Sequence, residues 1–304
     1  MNTVKIKAYA KLNLTLELFG VENGYHQLDS LAASVDICDT VVVTKRKDKK
    51  INVVMHGLGS ESIPPEQNNA VKAGEAFVET FQTTGADITV YKDIPIGAGL
   101  GGSSADIAGV LTGMAKLYGV PKTGELERLA QSLGSDVPYM MQGGFMRMQG
   151  RGEKLTPVPI ENTLWFLLLC PSKPMDTKAC FAHYDTLPKT LEWRESATEN
   201  CIAALLKNDQ NEGGRYLTNE LYPAACALND EIKTALADLK SFSPLGASMT
   251  GSGSSVFALF ETRELCEWAK SRYKGKCRAY VVKTVAVQKK KSIFRNPFAV
   301  ADEE

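Results

Sequence analysis

Between Val4 and Leu18 every even position is apolar (Val4, Ile6, Ala8, Ala10, Leu12, Leu14, Leu16, Leu18), the period of a strand with one face against a core. Lys11 and Asn13 then share the opposite face. Gly20 to Gly24 interrupt the pattern, and Thr40–Thr44 and Ile51–Met55 predict further strands. At Ala70, Ala73, Phe77 and Phe81 the period changes to three and four, which predicts a helix over Gln67–Phe81. A strand at Ile88–Tyr91 runs into a Pro/Gly loop, after which Ile107, Val110, Leu111, Met114 and Leu117 predict an amphipathic helix ending near Gly119-Val120-Pro121. A second helix, Glu125 to Leu133, is expected to start behind Thr123 as its cap and to stop at Gly134, with Asp136 in the turn that follows.

Pro157-Val158-Pro159 and the polar pair Glu161-Asn162 mark a change of character near residue 160, so one domain is expected over 1–160 and a second over 161–287. The second half offers a buried strand at Trp165–Cys170 and helical spacing at Leu228, Ile232, Leu236 and Leu239. It also has a Gly/Ser loop, Thr250–Ser255, that feeds the apolar strand Val256–Phe260. Residues 288–304, lysine-rich at the start and closing on Asp-Glu-Glu, are expected to be a loosely ordered tail.

Composition narrows the function classes. Among 304 residues Lys plus Arg and Asp plus Glu both count 35, so the formal net charge is zero and no global field recruits nucleic acid or anionic lipid. The longest strongly apolar run, Trp165–Cys170, has six residues against the ~20 that a membrane span needs. The first residues lack the apolar block of a secretory signal, and a cytoplasmic protein is expected. Seven cysteines without a Cys-x-x-Cys pair signal neither a disulfide framework nor a zinc site, and buried free thiols are expected. A neutral surface is compatible with a monomer or a homodimer.

The most informative stretch is Pro95-Ile96-Gly97-Ala98-Gly99-Leu100-Gly101-Gly102-Ser103-Ser104, with four glycines in six residues and two serines opening a helix. Glycine lets backbone N–H groups close on an anion, and a helix start adds unpaired N–H groups and the positive end of the dipole. The stretch is therefore a candidate phosphate cradle. It fits the dinucleotide fingerprint at Gly97-x-Gly99-x-x-Gly102, but that unit needs a strand after the helix with an acidic end, and here Pro121-Lys122-Thr123 and another helix follow. A P-loop needs a lysine after its last glycine, where this chain has Ser103.

Together with Ala10-Lys11-Leu12-Asn13-Leu14, Gly24-Tyr25-His26, Gly134-Ser135-Asp136-Val137-Pro138, Gly150-Arg151-Gly152-Glu153 and Met249-Thr250-Gly251-Ser252-Gly253, this loop resembles the signature of the GHMP small-molecule kinases. The resemblance implies an α+β, two-domain fold: an amino-terminal domain like the second domain of ribosomal protein S5 and a ferredoxin-like carboxy-terminal domain. It implies an ATP-dependent kinase with Mg²⁺ whose acceptor is a small-molecule alcohol, and the five motifs beside the loop together resemble the member of the family whose acceptor is the 2-hydroxyl of a cytidine-diphosphate-linked methylerythritol in isoprenoid precursor synthesis. Another GHMP alcohol kinase, or a silent nucleotide-binding regulator of the same fold, are the alternatives.

The resemblance also assigns roles. Asp136 is implied as the base that takes the hydroxyl proton, and Lys11 as the group that polarises that hydroxyl and meets transition-state charge. Pro95, Gly97, Gly99, Leu100, Gly101, Gly102, Ser103 and Ser104, with Asn68 and Lys92, are implied on the ATP side. Asn13, Tyr25, His26, Thr177 and Phe181 are implied on the acceptor, the two aromatics by stacking on cytosine and His26 at its edge. No acidic Mg²⁺ ligand stands out near the loop. The family's longer run, Gly-Leu-Gly/Ala-Gly-Gly-Ser-Ser before Asp/Asn-Ala-Ala, reads here as Gly-Leu-Gly-Gly-Ser-Ser-Ala-Asp, one residue short.

Overall fold

In the computed structural model, residues 2–57, 68–122, 124–188 and 195–285 are described; the Thr123 cap, Gln67 and the 288–304 tail lie outside them. The first half runs β1 (Thr3–Asn13), β2 (Glu17–Glu22), β3 (Tyr25–Lys45), β4 (Ile51–His56), α1 (Asn69–Phe81), β5 (Ala86–Tyr91), α2 (Gly102–Tyr118), α3 (Gly124–Leu133), α4 (Val137–Gln142), β6 (Phe145–Gly150) and β7 (Lys154–Pro157). The second half runs β8 (Trp165–Cys170), α5 (Thr177–Tyr184), α6 (Ala197–Leu206), α7 (Gln210–Arg215), α8 (Tyr222–Leu228), α9 (Glu231–Lys240), β9 (Gly246–Met249), β10 (Val256–Phe260), α10 (Arg263–Arg272) and β11 (Arg278–Lys283).

The long strand β3 organises the first sheet. It pairs antiparallel with β1, β2, β5 and β6, while β4 joins β5 in parallel and β7 joins β6. On β1, Val4, Ile6 and Ala8 are buried and Lys5 and Lys7 exposed, as the alternation predicts; from Ala10 to Asn13 both faces are buried, so Lys11 and Asn13 leave solvent and enter the interior. The predicted strand does not run on to Leu18. Leu14 N–H still donates to Leu31 O on β3 at 2.7 Å, and at Leu16 the chain bonds to the second half, Leu16 N–H to Thr218 O at 3.0 Å and Glu220 N–H to Leu16 O at 3.0 Å, before β2 rejoins β3 from Glu17. Leu14, Leu16 and Leu18 stay buried through this break, which is why periodicity alone joins β1 to the start of β2.

Helix α2 lies across β1 and β3. A Cβ added at Gly109 or Gly113 would stand 2.6 Å from a methyl of Val41 or Val43, so this glycine pair lets the helix backbone sit directly on the strand. The second sheet, in the order β11-β8-β10-β9, is wholly antiparallel and nearly continuous in apolar burial along β8 and β10. The expected helix through Leu228 and Leu239 is two helices, because Asn229 turns the chain by accepting the Glu231 N–H at 3.1 Å.

The halves are fastened at several points. Val35 bridges Thr284 beside an irregularity where β3 carries two extra residues, Asp36 and Ile37. Glu17, 1% exposed, accepts the N–H groups of Ala197 and Thr198 at 3.1 and 2.8 Å at the start of α6. Arg147 on β6 binds Asp29 at 2.9 Å and Glu199 at 2.9 Å. The seven cysteines are free; Cys170, Cys180, Cys201 and Cys266 are buried as expected, with burial pushing the Cys180 thiol up to about 11, while Cys38, Cys226 and Cys277 are half-buried. Among the described residues no helix is long and apolar enough to cross a membrane.

Candidate active site

A cleft of about 780 Å³ collects side chains from β1, the start of β3, the glycine loop, the α3–α4 turn, the β6–β7 hairpin, α5 and the 250–255 loop. Lys11 Nζ donates to Asp136 Oδ1 at 3.0 Å across 125 residues of sequence. Asp136 precedes α4 yet makes no side-chain cap with it; its carboxylate belongs to Lys11 and the cleft. Tyr139 anchors α4 from behind, its hydroxyl donating to Gly144 O at 2.9 Å, and burial raises its pKa. The Lys11 backbone N–H donates to Leu100 O at 3.0 Å, which ties the strand bearing the lysine to the glycine loop.

That loop is held backbone against backbone. Gly99 has φ +74°, and a Cβ there would stand 2.4 Å from Thr250 O and 2.6 Å from Gly253 O; neither carbonyl can give way. Ser255 N–H donates to Ala98 O at 3.1 Å and Met175 N–H to Gly97 O at 2.9 Å. Thr250 Oγ1 accepts the Asn13 N–H at 3.0 Å. The two glycine-rich stretches thus interlock. Gly101 at the start of α2 offers no capping side chain, so first-turn N–H groups at Ser103 and Ser104 remain for an anion.

Beneath the loop Lys92 binds Asp39 and, at 2.7 Å, Asp106. Asp39 also accepts the N–H groups of Asp93 and Ile94 at 2.7 and 2.9 Å. Asp106 has no such help, and burial outweighs Lys92 to lift its carboxyl to about 7. Its Oδ1 and Asn13 Oδ1 are buried side-chain oxygens without a hydrogen-bond partner, and both residues line the cleft. Asn13 Nδ2 is taken by Ser30 at 2.8 Å, leaving its oxygen for a donor from a ligand.

Of the residues expected at the site, all but Asn68 line this cleft. Asn68 caps α1 by accepting the Ala70 N–H at 2.9 Å and donates to Met55 Sδ, so both ends of its amide are committed to the fold. The aromatic residues meet differently from a simple sandwich. Phe181 stacks on His26 at 5.2 Å and 26°, while the Tyr25 ring lies under the Arg151 guanidinium at 3.7 Å. His26 Nε2 is also 3.2 Å from Asp185. Thr177 binds Ser252 at 2.9 Å, linking α5 to the second glycine loop. Three charged residues of the cleft, Asp106, Arg151 and Lys178, and Asp39 behind it escaped sequence reasoning. Asp39 and Asp106 needed the fold to meet Lys92; Arg151 lay within a quoted motif without a role, and Lys178 carried no signal.

The chain belongs to the GHMP kinases: the model of their N terminal domain matches residues 68–144 and that of their C terminal region residues 201–274. It is 34% identical over 293 residues to 4-diphosphocytidyl-2-C-methyl-D-erythritol kinase of Clostridium tetani, covering 93% of this chain and 100% of that one. The protein of the same description from Symbiobacterium thermophilum is 33% identical, with the same shares covered. A crystal structure of 4-(cytidine 5'-diphospho)-2C-methyl-D-erythritol kinase matches with a TM-score of 0.74 and 28% identity, over 92% of this chain and 98% of that one. A homoserine kinase from Cytophaga hutchinsonii shares the fold at TM-score 0.74 and 21% identity, over 95% and 96% of the two chains. The expected family and α+β fold are therefore those of the protein.

Proposed function

We propose that this kinase transfers the γ-phosphoryl group of MgATP to the 2-hydroxyl of 4-diphosphocytidyl-2-C-methyl-D-erythritol. The observation that carries the reading is the Lys11–Asp136 pair, set in one cleft between an uncapped glycine-loop helix start and the Tyr25, His26 and Phe181 aromatic group. The acceptor is taken from the relatives that cover nearly the whole chain. The reading divides the chain at 160/161, with the cleft drawing on both parts.

In this mechanism the acceptor hydroxyl lies against Asp136, whose carboxylate takes its proton as the oxygen attacks the γ-phosphorus. The new O–P bond forms while the bond from phosphorus to the bridging oxygen of ADP breaks. Lys11, held on Asp136, polarises the hydroxyl oxygen and meets charge developing in the transition state. Backbone N–H groups of the Gly97–Ser104 stretch cradle the phosphates, fixed by the 250–255 loop behind them. Asn13 Oδ1 accepts from an acceptor hydroxyl.

Among the described residues no cluster of three metal-binding side chains gathers. The unpartnered Asp106 Oδ1 and the Ser103 and Ser104 hydroxyls at the start of α2 fit an ion carried in on phosphate and water. Bound there, Mg²⁺ would neutralise phosphate charge.

ADP release measured with MgATP and the cytidyl substrate, beside homoserine, mevalonate and galactose, tests the reading. Turnover confined to the cytidyl substrate is expected. Turnover with another alcohol alone reassigns the acceptor, and binding of ATP without turnover of any acceptor leaves a nucleotide-binding regulator.

A further inference from the structure

Four basic side chains line the cleft: Lys11, Lys92, Arg151 and Lys178. Two are engaged, Lys11 by Asp136 and Lys92 by Asp39 and Asp106. Among the described residues no carboxylate pairs with Arg151 or Lys178. The cleft's own carboxylates, Asp106 and Asp136, are both committed to lysines near the glycine loop. The lining carboxylates thus meet the lysines at one end of the cleft, while at the other Arg151 and Lys178 face none, the nearby Asp185 being turned to His26.

These two cations flank one continuous run of contacts. The Arg151 guanidinium lies 3.7 Å from the centre of the Tyr25 ring. His26 follows Tyr25 in sequence and stacks on Phe181, and Lys178 stands three residues before Phe181 on α5, one turn away on the same side. Arg151 is delivered by a built turn. Gly150 and Gly152 flank it with φ +70° and +105°, and Glu153 folds back to accept the Arg151 backbone N–H at 2.6 Å. A Cβ at Gly150 would stand 2.6 Å from Glu153 Oε1, so a side chain there would displace that carboxylate.

Two unpaired cations bracketing aromatic rings match a ligand that joins a flat base to two adjacent negative charges. We propose that Arg151 and Lys178 receive the diphosphate bridge of the acceptor, so that the cleft selects a nucleoside diphosphate conjugate over a nucleoside or a bare polyol. This rests on the acceptor end assigned under Proposed function. Neither residue touches the reacting hydroxyl; both determine specificity.

Calorimetric titration of the full chain with CDP, CMP and cytidine, without Mg²⁺, tests it alongside ATP. In the wild type CDP should bind at least about tenfold more tightly than cytidine. Arg151→Gln keeps a planar group for Tyr25 and removes the charge; this variant and Lys178→Gln should each weaken CDP about tenfold, with cytidine and ATP within about twofold. The wild-type preference for CDP should shrink as salt rises. Equal affinity for CDP and cytidine in the wild type overturns the diphosphate assignment while leaving the cytidyl acceptor standing. Variants that weaken ATP instead, or CDP and cytidine alike, also overturn it. Wild-type protein that binds none of the three cytidine ligands overturns the acceptor reading itself and this inference with it.

Discussion

Lys11 and Lys92 are 5% and 4% exposed, each on a carboxylate within hydrogen-bond distance, whereas Tyr25 is 51% exposed and Arg151 and Lys178, which line the same cleft, are exposed as well. The first region is bolted down by main chain, Lys11 to Leu100 and Ala98 to Ser255, with the Asn13 N–H on the Thr250 hydroxyl. The second is held by rings, a hairpin tip and the first turn of α5. Phosphoryl transfer draws on preorganised charge, which costs no rearrangement at the moment of reaction. Recognition of a large acceptor gains from surface that stays open until the ligand covers it. The contrast assigns kcat to one end of the cleft and acceptor KM to the other.

The steepest break should come at the paired end. Lys11→Met removes a cation whose partner Asp136 is 32% exposed and can be solvated, so the fold should survive while kcat falls by about 10³; steady-state kinetics beside a thermal melt checks both halves of that statement. Gly99→Ala should come next, since its Cβ meets two main-chain carbonyls at a φ that L-residues avoid. Urea unfolding should show a loss of about 3 kcal/mol, with ATP affinity falling too. At the open end Tyr25→Ala should raise the acceptor KM about tenfold, the worth of one stacked base, with kcat and the KM for ATP near wild type. If kcat falls as far as KM rises, the division of labour is wrong.

The smallest effect concerns Asp106, lifted by burial from 3.8 to about 7. The folded chain holds a proton there that the unfolded chain releases, so the stability this proton confers is present below pH 3.8 and lost as the pH rises through 7. Asp106→Asn should flatten the fall in unfolding free energy between pH 4 and 7, read from urea titrations at several pH values. An unchanged slope would mean that Lys92 keeps the carboxylate charged.

Sequence patterning reached the parts of this molecule where one face alone meets the core. β1 as far as Asn13, α1, β5 and α2 stand where their periods put them. It missed most of β3, because Asp29, Ser30, Asp36 and Asp39 are polar residues inside a strand, three of them buried by pairing with Arg147, Asn13 or Lys92. It missed α5 to α8, each ten residues or fewer, too short to show a period. Motif likeness carried Lys11 and Asp136 together, a pairing that no local pattern encodes across 125 residues. The same likeness placed Asn68 at the ligand, where the chain uses it as a helix cap. It also read the glycine loop as one residue short; set with Asp106 opposite the family's Asp/Asn, the run has equal length, with Ser103 in place of a glycine and Ala105 in place of a serine.

The central claim is that Asp136 takes the proton of the attacking hydroxyl. A single-turnover measurement of phosphoryl transfer from MgATP to the cytidyl acceptor, with wild-type and Asp136→Asn enzyme saturated in both ligands, tests it most directly. The account predicts that the variant binds both ligands within about twofold and transfers about 10³ times more slowly. Transfer at the wild-type rate with both ligands bound would contradict it.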